Sequence, residues 1–153
     1  MKKAILIVSV GTSQLEALEH TTLRLGEEVT ERFAEYTCYV AFSSKHILRK
    51  MNEKSQTPFL GIAEAFEQMY VDGVEEVIVQ STNLLNGLES DSMLAQVEEN
   101  RTRFASVRVG RPLLNTKEDY IKTLEVMLET VSLEEGEALL CIGHGTNHLS
   151  NAT

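Results

Sequence analysis

A chain of 153 residues is long enough for one domain with a substantial hydrophobic core. Hydrophobic residues make up 42% and charged residues 24%, as in ordinary globular proteins, and no apolar run reaches the roughly 20 residues of a membrane span. The formal net charge of -9 argues against nucleic acid or an anionic membrane as a partner, because both are bound by basic patches.

Short apolar runs alternate with helical patterns along the chain, which indicates a parallel sheet with helices on its faces. The first run, residues 3–9, is apolar without alternation, as expected for a strand buried on both faces. It ends in Gly11, Thr12 and Ser13 and not in a cleavage site, so we interpret it as a strand and expect a cytoplasmic protein. Ser13 and Glu16 have capping-box spacing and predict the start of the first helix.

The rest of the chain continues the same alternation. Apolar residues at helical spacing predict the buried face of the first helix: Leu15, Leu18, Thr22, Leu25, Val29 and Phe33. Further strands are predicted at residues 37–41, 76–80, 106–109 and 137–142. Further helices are predicted at residues 44–51, from a Thr57 cap to Asp72, at residues 89–104, and after a capping box of Asn115 and Glu118. The two cysteines, Cys38 and Cys141, lie within apolar runs and are interpreted as buried thiols, in preference to a disulfide or a metal pair.

One internal repeat bears on domain organisation. Residues 4–13 align without gaps on residues 138–147, and both segments are apolar strands that run into a Gly-Thr turn. Any two buried strands that end in glycine look alike, so the similarity could also arise without a true internal repeat. If the repeat is real, residues 1–134 form one α/β lobe and residues 135–153 contain the first strand of a second, similar lobe. The predicted fold class is therefore a three-layer α/β/α parallel sheet.

Four predicted loops lie at the carboxyl ends of the strands, where open parallel sheets bind ligands. Gly11, Thr12 and Ser13 combine a glycine turn with a helix start, which suits an anion such as a carboxylate but is equally expected for plain capping. Lys45 and Arg49, after the second strand, either meet an acidic ligand or form a solvated helix face.

The segment Gly-His-Gly-Thr-Asn-His at residues 143–148 is the sharpest local signal. Glycines on both sides leave the imidazole of His144 open to a ligand, and imidazole binds transition metals and accepts protons near neutral pH. A histidine in a loop is often only solvated or structural. Its place at the end of a predicted strand favours a functional interpretation.

Five stretches together resemble the anaerobic sirohydrochlorin cobaltochelatases, class II chelatases of cobalamin biosynthesis. They are ILIVSVGTS at 5–13, AFSSKHILRKM at 41–51, GVEEVIVQ at 73–80, GRPLLNTKEDY at 110–120 and GHGTNH at 143–148. The resemblance implies two similar α/β lobes with the tetrapyrrole held between them. It implies Co²⁺ as a substrate, with no permanently bound cofactor, and carries the family's first metal-binding histidine over to His144.

The resemblance also suggests residues that meet the tetrapyrrole. We expect substrate contacts from Gly11, Thr12, Ser13, Ser44, Asn83 and Glu89. The chain departs from the family in the loop after the third strand, where Asn83 replaces a histidine and Asn86 replaces a proline. The family also supplies a second histidine and a glutamate from its second lobe, so we expect an incomplete site on residues 1–153.

Three functions follow as hypotheses. In the first, the chain is the N-terminal portion of a cobaltochelatase, inactive alone but active in the intact chain. In the second, it is a short chelatase that works as a homodimer, with Fe²⁺ or Ni²⁺ as other possible metals. In the third, it is a non-catalytic module that binds metal or tetrapyrrole. The expected partners are the tetrapyrrole and a divalent metal, with a homo-oligomer as an option.

Overall fold

The computed structural model describes residues 1–140 and residue 142. A five-stranded sheet with the order β3-β2-β1-β4-β5 lies at its centre, and every pair of neighbouring strands is parallel. The strands are β1 (Lys2–Ser9), β2 (Tyr36–Phe42), β3 (Leu60–Gly61), β4 (Val74–Ser81) and β5 (Ser106–Val109). The predicted parallel α/β architecture is thereby confirmed, and four of its predicted strands lie within a few residues of their predicted places.

Six α-helices are present in the part of the chain that the structure describes. They are α1 (Leu15–Leu18), α2 (Arg24–Arg32), α3 (Lys45–Lys54), α4 (Ile62–Val71), α5 (Leu88–Asn100) and α6 (Lys117–Glu129). A π-helical segment, Glu19–Leu23, joins α1 to α2, and a 3-10 turn, Arg101–Arg103, follows α5. None of the helices described has the length and apolar character needed to cross a bilayer.

The helices cover the two faces of the sheet, as a three-layer fold requires. On one face, α4 and α5 pack on the even-numbered residues of β1, in a core that includes Leu6, Phe66 and Val97. On the other face, a smaller cluster joins Leu18 and Met51 to Phe42. Because β1 lies between β2 and β4 and has helices on both sides, its residues 4–9 are all buried, which explains their unbroken apolar run.

The first helix buries a different face from the one predicted. Leu18 and Thr22 are buried as expected, but Leu25 and Phe33 are 40% and 45% exposed, and Gly26 is buried instead. The cause is the π-helical segment, which adds a residue to one turn and so shifts the buried face by one position along α2. Gly26 then lies against Val40, where its missing side chain lets the helix approach the sheet.

Three predicted helix starts are wrong in detail. Gln14, and not Ser13, precedes α1, and no side chain caps that helix. Helix α4 begins after Gly61 and not after Thr57, because residues 60 and 61 extend the sheet as β3. The capping box of α6 is formed by Thr116 and Asp119, one residue beyond the predicted pair.

The predicted strand at residues 137–142 is not formed among its described residues. Residues 137–140 and 142 carry no regular structure, and Leu140 and Ile142 are 80% and 86% exposed. A strand needs a neighbour for its backbone hydrogen bonds, and the described sheet ends at β3 and β5 without pairing with this segment. The division of the chain after residue 134 stays a prediction.

The two cysteines are only partly described. Cys38 is half-buried and carries a free thiol, and burial raises the pKa of that thiol. It is therefore less buried than predicted. Cys141 lies outside the described residues.

Candidate functional site

The chain reverses its direction of travel across the sheet between β1 and β4. From β1 it moves outward through β2 to β3, and then it crosses back to β4 on the other side of β1. The helices that follow β1 and β4 lie on opposite faces, so the loops after these strands diverge, which is the arrangement that forms a crevice at the carboxyl ends of strands in open α/β sheets. Open α/β sheets bind their ligands at such a switch point. The crevice is therefore the candidate site.

Three of the predicted loops meet at this edge of the sheet. The backbone N–H of Ser43 donates to the carbonyl of Ser9 over 2.9 Å, and that of Thr82 donates to the carbonyl of Val8 over 2.9 Å. These hydrogen bonds extend the ladders of β1 with β2 and with β4 beyond the last paired residues. They place the residues after all three strands at one level, which brings together the predicted contacts Gly11, Thr12, Ser13, Ser44 and Asn83 at this edge.

Gly11 forms the turn after β1, and its backbone explains why glycine is needed. Its φ of +92° lies in a region that side chains with a Cβ rarely adopt. A Cβ there would also lie 3.0 Å from Cδ1 of Phe42 and 3.1 Å from Sδ of Met51. The turn is thus pressed against α3, and its backbone N–H donates to Oγ of Ser9 over 3.3 Å.

Ser9 is the buried polar centre beneath the turn. Its Oγ accepts hydrogen bonds from the N–H of Gly11 and from Oγ1 of Thr22, each at 3.3 Å. Ser9 and Thr22 are two of the few buried polar side chains of the described chain. The sequence predicted Ser9 only as the last residue of a strand, although a serine at the end of an apolar run is a signal that could have marked a buried polar position.

Thr12 and Ser13 are half-buried, and the structure uses them in local contacts. Oγ1 of Thr12 accepts from the N–H of Gln14 over 3.2 Å, and the carbonyl of Ser13 accepts from Nζ of Lys54 over 2.9 Å. Lys54 is the last residue of α3, so the loop is tied to the end of that helix. The hydroxyl proton of Thr12 is not used in this contact, because the oxygen acts there as an acceptor.

Ser44 is the N-cap of α3. Its Oγ accepts from the N–H of Ile47 over 3.4 Å, so its hydroxyl proton is likewise available to another acceptor. Lys45 is exposed, and the guanidinium of Arg49 lies 3.8 Å from Glu53 on the same helix. The solvated-face interpretation of Arg49 therefore fits the structure better than a role as a ligand contact.

Asn83 and Glu89 flank the start of α5. Nδ2 of Asn83 donates to Oγ of Ser90 over 3.3 Å, and Ser90 donates to the carbonyl of Leu85 over 3.2 Å. This chain of hydrogen bonds closes the β4–α5 loop and holds the Asn83 amide in place. Glu89 lies exposed in the first turn of α5, where the helix dipole favours a negative charge.

Gln80 and Gly110 are structural residues of this edge that the sequence analysis missed. Nε2 of Gln80 donates to the carbonyls of Ser81 and Arg111, each over 3.0 Å. The N–H of Leu114 donates to the carbonyl of Leu84 over 2.8 Å. The loops after β4 and β5 are therefore joined by this main-chain hydrogen bond and by the side chain of Gln80.

Within residues 1–140 and 142, no group of three or more His, Cys, Asp or Glu side chains could hold a metal ion. His144, the predicted metal ligand, and His148 lie outside the described residues. The described part of the site thus consists of hydroxyls, amides and backbone groups, with the carboxylate of Glu89 at the start of α5.

Comparison with known proteins identifies the family. The family model for cobalt chelatase (CbiK) matches residues 3–153, which is almost the whole chain. The chain belongs to the cobalt chelatase (CbiK) family. The resemblance that was inferred from five short stretches is thereby confirmed.

Two curated relatives agree with membership of the CbiK family. The sirohydrochlorin cobaltochelatase of Salmonella typhimurium is 28% identical over 149 residues, which cover 97% of this chain and 56% of that protein. The sirohydrochlorin cobaltochelatase CbiKC of Nitratidesulfovibrio vulgaris is 30% identical over 152 residues, which cover 96% of this chain and 53% of that protein. The chain therefore spans about half the length of the curated relatives that it matches.

A solved structure supports the fold assigned to this CbiK-family chain. It is that of a protein from Marinobacter aquaeolei VT8, described as a cobalamin (vitamin B12) biosynthesis CbiX protein. The TM-score is 0.58 at 16% sequence identity, and the match covers 85% of this chain and 95% of the other. At this identity the likeness concerns the fold alone.

Proposed function

We propose that this chain takes part in inserting Co²⁺ into sirohydrochlorin, as a sirohydrochlorin cobaltochelatase of cobalamin biosynthesis. The observation that carries the proposal is the family match over residues 3–153. The polar crevice at the carboxyl edge of the sheet supports it. The tetrapyrrole and the divalent metal are both substrates in this proposal, and no resident cofactor is required.

The loops of the crevice would hold the carboxylates of the tetrapyrrole. Thr12 and Ser44 accept backbone hydrogen bonds through their oxygens, which leaves each hydroxyl proton for a carboxylate oxygen. The turn that contains Gly11 and Ser13 adds backbone polar groups to the same carboxyl edge of the sheet. Hydrogen bonds to an ionised acceptor are stronger than neutral ones, so a few such donors suffice despite the net charge of -9.

Asn83 and Glu89 are proposed as further substrate contacts. The side-chain carbonyl of Asn83 can accept a hydrogen bond from an N–H group of the macrocycle while its Nδ2 is held by Ser90. Glu89 is exposed in the first turn of α5 and can accept a hydrogen bond from the same side. Neither group needs to bind the metal in this arrangement.

We assign the metal to His144. Insertion must strip water from Co²⁺ and remove two pyrrole N–H protons. A neutral imidazole can bind the ion and, once the ion has passed to the macrocycle, accept one of these protons, while the other passes to solvent water. The crevice positions the macrocycle against the ion, and this positioning lowers the entropic part of the activation barrier. Cytoplasmic residence, inferred from the sequence, belongs to the same proposal.

The decisive experiment follows Co²⁺ insertion into sirohydrochlorin by the absorbance of the macrocycle, with the purified 153-residue chain. Turnover above the uncatalysed rate that is lost in His144→Ala would support the proposal. If turnover appears only when the chain is extended through a second lobe, the same His144→Ala comparison is made in that extended chain. His20→Ala is the matched control, because His20 is exposed on the π-helical segment and is not one of the proposed contacts, so turnover should be unchanged. Equal turnover in the two variants would contradict the assignment of His144.

The choice of metal is tested in the same assay. Imidazole accepts Co²⁺, Fe²⁺ and Ni²⁺, so the rates with the three ions should be compared at equal free concentration. A preference for Fe²⁺ or Ni²⁺ would favour the short homodimeric chelatase over the cobaltochelatase.

A non-catalytic binding module is the second candidate. It is favoured by Asn83, which stands where the family has a histidine and whose amide is already engaged by Ser90. In that case the chain would bind sirohydrochlorin in an absorbance titration but show no turnover with any of the three metals. Asn83→His is then the informative variant, because it restores the family's residue type at the carboxyl edge. Gain of turnover in that variant would locate the defect at this position.

A further inference from the structure

Two neighbouring threonines of the π-helical segment, Thr21 and Thr22, direct their hydroxyls differently. Thr21 is exposed, and its Oγ1 donates to the carbonyl of Ala17 over 2.6 Å, the usual local contact of a helical threonine. Thr22 is only 8% exposed, and its Oγ1 donates to Oγ of Ser9 over 3.3 Å. Thr22 therefore connects the π-helical segment to the end of β1.

Ser9 lies where two loops of the crevice begin. Its Oγ accepts a hydrogen bond from the N–H of Gly11 over 3.3 Å, so its side chain holds the turn that leads to Thr12. Its carbonyl accepts a hydrogen bond from the N–H of Ser43 over 2.9 Å, so its main chain holds the residue before Ser44. One buried residue thus fixes the positions of these two loops relative to each other.

The two hydrogen bonds to Oγ of Ser9 select one rotamer of this side chain. A serine oxygen can occupy any of the staggered positions about χ1. In the position that the structure shows, the oxygen serves Gly11 and Thr22 at once, so the donor on Thr22 favours the rotamer that holds the turn. Both bonds are 3.3 Å long, which is beyond the most common distances for their types. We therefore expect the loss of either bond to leave the protein folded.

We propose that Thr22 and Ser9 are positioning residues for the tetrapyrrole, an inference that rests on the proposed function. Thr22 fixes the side chain of Ser9, and Ser9 holds the turn at Gly11. The held turn sets the distance between the hydroxyls of Thr12 and Ser44, the two proposed donors to the carboxylates. Both positioning residues are buried, so they act through these donors and do not touch the substrate.

The shape of the substrate explains why such positioning matters. The carboxylates of a tetrapyrrole are carried around one macrocycle, so donors on two loops must match the separation of the groups that they bind. A misplacement of about 1 Å can lower the rate of a reaction up to about 100-fold. The π-helical segment, Glu19–Leu23, supports the same inference, because π-helical turns occur often at functional sites.

An absorbance titration with sirohydrochlorin measures the effect on binding. Thr22→Val removes the hydroxyl and keeps a branched side chain, so we expect the dissociation constant to rise about tenfold. Thr22→Ala should act in the same way, because it removes the hydroxyl without placing a methyl group there. Thr22→Ser keeps the hydroxyl and should bind like the native chain.

Thr21→Val is the matched control, because the hydroxyl of Thr21 makes a local contact on the exposed side of the same segment. We expect it to leave the dissociation constant unchanged. Circular dichroism verifies that each variant is folded. If only a chain extended through a second lobe binds sirohydrochlorin, the same variants are compared in that chain.

Nuclear magnetic resonance of the Gly11 amide tests the positioning without any ligand. In Thr22→Val the amide proton should move to higher field, because a weaker hydrogen bond shields it. The shift should be clearly larger than in Thr21→Val, and Thr22→Ser should restore the native position. An unchanged Gly11 resonance in Thr22→Val would overturn the inference.

The two experiments separate this inference from the proposed function. If the native chain binds sirohydrochlorin and Thr22→Val binds it equally well, the positioning role is wrong and the proposed function stands. If neither the native nor the extended chain binds sirohydrochlorin, the proposed function is wrong, and with it the role of Thr22 toward a tetrapyrrole. The Gly11 resonance then decides whether Thr22 holds the turn for another purpose.

Discussion

The side-chain amide of Gln80 lies against the Cα of Gly110, so closely that a Cβ at that glycine would overlap it. From this position Nε2 of Gln80 donates to the carbonyls of Ser81 and Arg111. Gly110→Ala should displace the amide and break both hydrogen bonds. We expect the free energy of unfolding to fall by about 1 kcal/mol, since the far end of a glutamine can move away.

A double-mutant cycle verifies this coupling by urea unfolding. Gln80→Ala removes the amide that the new methyl group would strike. In that background Gly110→Ala should lower the free energy of unfolding clearly less than it does in the native chain. Equal costs in the two backgrounds would mean that the two residues act independently.

Gly11→Ala should destabilise the protein much more than Gly73→Ala. Both glycines have positive φ, at +92° and +72°, so both substitutions carry a conformational cost of about 1 to 2 kcal/mol. At Gly73 nothing lies within 4 Å of the added Cβ, whereas at Gly11 the Cβ meets Phe42 at 3.0 Å and Met51 at 3.1 Å. We expect a loss of about 3 kcal/mol at Gly11, measured by urea unfolding. A similar loss in both variants would contradict this reading of the turn.

Tyr39 predicts a loss of stability in alkaline solution. Burial, together with the hydrogen bond from its hydroxyl to Oδ2 of Asp72 at 2.6 Å, raises the pKa of Tyr39 above its ordinary value of 10.0. Above pH 10 the unfolded chain therefore loses this proton while the folded chain keeps it. Stability from this group is complete below its ordinary pKa and declines as the pH rises toward the folded pKa, with a slope of up to about 1.4 kcal/mol per pH unit.

The variant Tyr39→Phe isolates that contribution. Its free energy of unfolding should decline less steeply than that of the native chain between pH 10 and pH 11, measured with urea at each pH. Tyr36→Phe is the control, because Tyr36 is a half-buried tyrosine on the same strand as Tyr39. Parallel pH profiles for Tyr39→Phe and the native chain would disprove the assignment.

The cap of α6 should act locally. Thr116 and Asp119 satisfy each other's backbone N–H groups, and the hydrogen bonds from Thr116 hold the pKa of Asp119 below its ordinary value. Thr116→Ala should cost the helix about 1 kcal/mol, which speeds hydrogen exchange of the α6 amides about fivefold. Because no residue of α6 is buried, exchange in β1 should not change.

Asn115→Ala distinguishes this cap from the one predicted by sequence. Asn115 is outside the capping box, although its Oδ1 accepts from Nδ2 of Asn86 over 3.3 Å. We expect a smaller effect on α6 exchange than for Thr116→Ala. An equal or larger effect would restore the capping box that was placed one residue too early.

Much of the fold was predictable because it depends on local composition. The unbroken apolar run of β1 and the runs of β4 and β5 indicated buried parallel strands, and the structure confirms them. Glycine, threonine and serine after the first strand correctly marked a tight turn at the carboxyl edge. The strand order was not predictable, because every one of these runs suits any interior position of a sheet.

The wrong predictions have in common that they depend on local geometry or neighbouring elements that the residue pattern does not show. The shift of the buried face at Gly26 arises from one π-helical segment, whose extra residue has no sequence signal of its own. β3 contains two residues, and Gly61 reads as a helix cap or a loop until a neighbouring strand is seen. The apolar residues of α6 are exposed, and the sequence could not show this, since periodicity indicates which face is apolar but not what covers it.

The sequence by itself determined the fold class, the main strands and the loops that meet at the carboxyl edge, because period and turn chemistry are local properties. It also determined the family, through short stretches spread along the whole chain. Only the tertiary structure decided that the crevice lies between β1 and β4, that Ser9 supports the Gly11 turn, and that Gln80 joins two loops. These relationships connect residues far apart in the chain, and they exist only once the strand order is set.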